Sequence, residues 1–92
     1  MKMEYQYPID YTWSTDEIVQ VINFFEKIEL AYESGVSKEQ LMEAYRSFKK
    51  IVPSIAEEKR LFAEFEEVSK YSSYKVVQAM KNAEDQTKIR MR

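Results

Sequence analysis

Five carboxylates crowd one stretch of the chain, Glu57, Glu58, Glu64, Glu66 and Glu67. Paired carboxylates can do general acid–base work when burial drives their pKa values apart, and in helical bundles they can hold a pair of metal ions. Spacing argues against both uses here. Glu57 and Glu64 are seven residues apart and share a helix face, but Arg60 stands between them, three residues from one and four from the other. That is the spacing of ordinary surface ion pairs. A di-iron bundle would draw on Glu-x-x-His pairs, and the chain has no His. Nothing in the pattern puts one of these five inside, so a solvated charged face is the expectation and no catalytic residue is assigned.

Cys is absent as well as His, which excludes disulfides, thiol catalysis, Ser-His-Asp machinery, zinc fingers and imidazole ligands. No metal and no cofactor are expected. Cations cluster twice. Arg46, Lys49 and Lys50 sit at the end of one segment, and Lys75, Lys81, Lys88, Arg90 and Arg92 stud the last one. With Tyr45, Tyr71 and Tyr74 nearby to stack on bases, they allow a weak nucleic-acid binder. Against it stand a net charge of −2 and the lack of any nucleic-acid motif. Lysines near a helix C-terminus also stabilise the helix dipole without any ligand.

The third candidate is aromatic. Tyr5, Tyr7, Ile9, Tyr11 and Trp13 occupy successive odd positions, a period of two that places all five on one side of an extended chain. Pro8 disfavours helix there. One reading has this arm cover an open edge of a small core. Another makes it an interface, because Tyr and Trp supply large rigid contact areas. Both hold if Trp13 is buried while Tyr5 and Tyr7 reach outward. The turn Tyr71-Ser72-Ser73-Tyr74 is a second surface, since Ser capping explains only one of its serines. The candidate interaction surface is therefore Tyr5, Tyr7, Tyr11, Trp13, Tyr71 and Tyr74, with another protein or a second copy as partner.

These groups must be carried by 92 residues, one domain's worth, with 45 % apolar and 33 % charged side chains. One Gly and two Pro point to long helices. Capping boxes at Ser14–Glu17, Ser37–Gln40 and Ser54–Glu57 mark three helix starts. The first helix runs from about Thr15 to Ser34, with Ile18, Val21, Ile22, Phe25, Ile28 and Tyr32 as its stripe, Phe24 and Ala31 widening it, and Gly35 ending it. The second, about 38–51, buries Leu41, Ala44, Tyr45 and Phe48. The third, about 55–69, offers Ile55, Leu61, Phe62, Phe65 and Val68. Glu58 falls in that stripe, which puts the first turn at the surface. A fourth, about 73–85 and capped by Ser72 or Ser73, turns Tyr74, Val77 and Met80 inward. Residues 86–92 are expected to be a frayed tail, with Glu84 and Lys88 paired at i,i+4. Charge alternates along the helices: −4 over residues 14–34, +2 over 37–52, −2 over 54–70 and +3 over 71–92. That eases the packing of sequential neighbours.

The stretches YPIDYTWSTDEI, AYRSFKKIVPS, LFAEFEE and KYSSYKVVQAMK together span most of the chain. Through them the chain resembles a family of small proteins from Bacillus-like Gram-positive bacteria, catalogued as an uncharacterised protein family. The resemblance implies an all-helical fold and brings no activity to carry over. No stretch reads as a signal peptide or membrane span. The expectation is thus an all-α, compact four-helix array with an extended aromatic N-terminal arm. The expected role is a non-catalytic cytoplasmic one, binding another protein or itself without a membrane.

Overall fold

A serine starts each of four helices in the computed structural model, which describes residues 7–91. Helix α1 (Thr15–Glu33) follows Ser14, α2 (Lys38–Ile51) follows Ser37, α3 (Ile55–Ser69) follows Ser54 and α4 (Ser73–Asn82) follows Ser72. Each hydroxyl accepts the backbone N–H three residues on, at 3.1–3.2 Å. Caps of this kind contribute about 1 kcal/mol apiece. The box is reciprocal at Ser14, whose N–H donates to Glu17 Oε1 at 2.8 Å. At Ser54 the carboxylate expected to reach back, Glu57, takes Arg60 instead.

The helices meet on five phenylalanines: Phe24 and Phe25 of α1, Phe48 of α2, and Phe62 and Phe65 of α3, all buried. Phe24 stacks on Phe48 with ring centroids 4.6 Å apart, and Phe25 lies 4.7 Å from Phe65. Phe62 stacks on Phe48 at 5.8 Å and meets Phe25 edge-on at 6.3 Å. Such pairs are worth about 0.5–1.5 kcal/mol each beyond their burial. Val21, Ile28, Leu41, Leu61, Val76, Val77 and Met80 fill the space around the rings.

Two side chains expected inside, Val68 and Tyr74, are outside. Val68 is 43 % exposed near the end of α3, while Ile55, in the first turn that Glu58 places at the surface, is 68 % exposed. Tyr74 is 62 % exposed, while Ser73 is buried. The reason is phase. Ser72 takes the cap, so the buried face of α4 is Ser73, Val76, Val77 and Met80, an i, i+3, i+4, i+7 series that leaves Tyr74 turned away.

The expected frayed tail is a correction of a different kind. Helix α4 stops at Asn82, where Ala83 turns extended, and Gln86 takes a left-handed φ of 65°. The chain then pairs β2 (Lys88–Ile89) antiparallel with β1 (Val36–Ser37), Val36 opposite Ile89. Lys38 N–H donates to Thr87 O at 2.9 Å, and Met91 N–H to Ala31 O at 2.8 Å. Ile89 is buried and Met91 packs on the core, while Lys88 and Arg90 face out. That alternation has a period of two, and an i,i+4 reading of Glu84 and Lys88 cannot see it.

Gly35 makes this clasp possible. It holds φ at +105°, and both its N–H and that of Ser34 donate to Leu30 O, ending α1. A Cβ there would fall 3.2 Å from Lys88 Cγ and Cδ, and closer still to Cε. Gly35→Ala should therefore lower stability by about 1–3 kcal/mol, read as a lower midpoint in denaturant unfolding. An unchanged midpoint would show that neither the backbone angle nor the Lys88 stem constrains this position.

Candidate interaction groove

The helical repeat that buries Phe25 and Ile28 also carries Glu29 inward, four residues after Phe25 and three before Tyr32. Its side chain is fully buried. A carboxylate there requires polar company, and the arm supplies it: Tyr7 OH donates to Glu29 Oε1, while the Tyr7 ring stacks on Phe65 at 5.9 Å and 13°. Pro8, next in the chain, is buried too. The arm is thus pinned across α1 and α3 at its Tyr7 end.

Beyond Ile9 the arm turns. Asp10 Oδ1 accepts from Thr12 N–H at 2.9 Å and from Thr12 Oγ1 at 2.7 Å, and Trp13 N–H closes on Asp10 O at 3.0 Å. The Thr12 hydroxyl, then the Thr12 N–H, hold the Asp10 carboxyl below its usual range. This turn breaks the period of two. Tyr11 swings out to 94 % exposure and Trp13 comes back half-buried against the core. The expected division of labour is reversed at Tyr7, which is the inward anchor, while Tyr11 is the outward ring. Tyr5 lies outside the described residues.

Between this arm and α3 runs a groove of about 630 Å³. Tyr7, Pro8, Ile9 and Tyr11 line it from the arm, and Glu64, Glu67 and Val68 from α3. Tyr71 and Tyr74 are not part of it. Tyr71 stacks flat on Tyr32, 4.5 Å away, and donates to Glu33 Oε2 at 3.2 Å. The Tyr32 hydroxyl in turn accepts the Ser72 N–H at 3.1 Å, so the ring pair holds the turn before α4.

The acidic run divides in two. Glu57 and Glu64 both hold Arg60, as their spacing implies, and keep that guanidinium protonated. Glu58 instead turns toward α2, where it accepts from Tyr45 OH at 3.0 Å and pairs with Lys49 Nζ. Lys81 Nζ lies 5.7 Å from the Tyr45 ring centre. Burial first, then the bond to Glu58, push Tyr45 from 10.0 up to about 12. A tyrosine so held keeps its proton at neutral pH and makes a poor acid or nucleophile. Among the described residues no group of three or more Asp or Glu side chains is placed to hold a metal, and no helix is long and apolar enough to cross a membrane.

Two variants test these placements. Tyr7→Phe keeps the ring and removes the donor to a buried carboxylate, and should lower stability by about 1–3 kcal/mol. Tyr11→Ala should stay within about 0.5 kcal/mol of the parent in the same denaturant titration. Equal losses would mean that the arm is held by its backbone. For Tyr45, a pKa raised on folding favours the protonated form. The stability it contributes is complete below pH 10 and lost as pH rises through about 12. Tyrosinate absorbance should show a late-titrating phase that is missing in Tyr45→Phe and moved part of the way back toward 10 in Glu58→Gln.

A family model described as "Uncharacterised protein family (UPF0223)" matches residues 4–89. A UPF0223 protein of Bacillus cytotoxicus is 53 % identical over 89 residues, covering 97 % of this chain and all of its own length. One from Staphylococcus haemolyticus is 62 % identical over 80 residues, covering 87 % of this chain and 89 % of its own. The Bacillus subtilis protein YktA is 54 % identical over 89 residues, with 97 % and 100 % covered. With the matched region taking in the arm, all four helices and both strands, the chain belongs to the UPF0223 family.

Proposed function

We propose that this protein is a non-catalytic, cytoplasmic interaction module that docks a partner in the groove between the arm and α3. The observation that carries this is Tyr11, a large ring left 94 % exposed at the edge of a groove in a chain with little core to spare. Val68, 43 % exposed and also lining the groove, adds apolar surface beside it. Exposed aromatic and aliphatic side chains flanking a concavity are the usual anchors of protein interfaces.

The alternative, a weak nucleic-acid binder using the basic ends of α2 and α4, has fewer cations to work with. Lys49 is committed to Glu58, and Lys81 lies over Tyr45.

An affinity capture from native lysate, split into nuclease-treated and untreated halves, tests the proposal. A discrete protein should survive nuclease and be lost with the paired variant Tyr11→Ala, Val68→Asp. Capture that disappears with nuclease, or that ignores both substitutions, would overturn it.

A further inference from the structure

The groove has a sign as well as a shape. Among the described residues, the charged side chains that line it are Glu64 and Glu67, carboxylates on successive turns of α3. Asp10, its carboxyl held ionised by Thr12, belongs to the arm that forms the opposite wall. Of the cations on this helix, Arg60 is already shared between Glu57 and Glu64. Among the described residues Glu67 makes no ion pair. Lys70, exposed at the C-cap of α3, sits at the negative end of that helix's dipole and pairs with neither Glu64 nor Glu67.

Each class of occupant meets this differently. An acidic segment would be repelled. A purely apolar one would strip water from Glu67 and return nothing. A lysine or arginine satisfies every part: its methylene stem lies on Ile9 and Val68, its charge meets the carboxylates, and the exposed face of Tyr11 attracts a cation. A second copy seated in this way would place unlike surfaces together, a head-to-tail contact rather than the two-fold one that most small assemblies use. Resting on the docking reading above, we infer that the groove takes a lysine- or arginine-bearing segment of a separate partner protein.

The probe is a library of random 12-residue peptides displayed on phage, selected against the full chain, the best sequences then being made and titrated by fluorescence anisotropy. Glu67→Lys and Val68→Asp alter exposed positions, and their unfolding midpoints confirm that both variants fold. Selected peptides should be enriched in Lys or Arg beside an apolar residue. They should weaken roughly tenfold on Glu67→Lys and at least as much on Val68→Asp, and bind less tightly as salt rises. Peptides with no basic enrichment that are still lost on Val68→Asp would overturn the cation while leaving the docking groove standing. Peptides indifferent to Val68→Asp would overturn both. Recovery of no peptide also overturns the inference. Dimerisation in sedimentation that Val68→Asp abolishes would then assign the groove to a second copy. Amide signals of residues 1–6 that move on Glu67→Lys would assign it to the chain's own beginning.

Discussion

Three helices can share one small core here because flat rings fill it. Phe24, Phe25, Phe48, Phe62 and Phe65 lie within stacking or edge-on distance of one another, and every other element is arranged around that cluster. A chain of this size buries only about 60–65 % of its unfolded surface, so few large side chains must do most of the work. Their planarity limits how the helices cross: tilting α3 against α1 would separate Phe25 from Phe65 and open a gap that no neighbouring side chain fills. The two-stranded clasp, through Val36 and Ile89, and the arm, through Tyr7 and Trp13, pack onto the same core.

Glu29 is the cost of that arrangement. A face wide enough to present both Phe24 and Phe25 also sweeps in the position four residues beyond Phe25, and that position holds a carboxylate. Tyr7 answers two needs with one side chain, its ring covering Phe65 and its hydroxyl meeting the carboxylate. The inward end of the arm is thereby committed to the fold. The Asp10 turn then swings Tyr11 outward, to the edge of a groove that Tyr7, Pro8 and Ile9 themselves line.

The helices were legible because their signals are local. A serine three residues before an amide, or an apolar residue every three or four, needs no knowledge of the rest of the chain, and Ser14, Ser37, Ser54 and Gly35 all act where their chemistry says they should. What escaped were features set by distant partners. Glu29 falls on the buried face of α1 by spacing, but its hydrogen-bond donor Tyr7 lies 22 residues away in the arm. Glu58 was seen in the α3 stripe and assigned to the surface, because its partners Tyr45 and Lys49 belong to another helix. Ile89 pairs across most of the chain, and its own segment is too short to show a period. Tyr11 departs from the alternation for a local reason: Asp10 and Thr12 form a turn that outweighs it.

The clasp between β1 and β2 makes the molecule's topology different from that of an open bundle. Val36 and Ile89 bracket α2, α3 and α4 completely, and Met91 ties the same segment back to Ala31 near the end of α1. The closing segment cannot peel away as an isolated end would, since lifting it unpairs β1, uncovers Gly35 and loosens the last turn of α1 at once. Local opening there is a joint event involving segments that are far apart in sequence. Because those contacts span so much chain, they also raise the contact order of a largely helical protein, so it should fold more slowly than its helices alone would suggest.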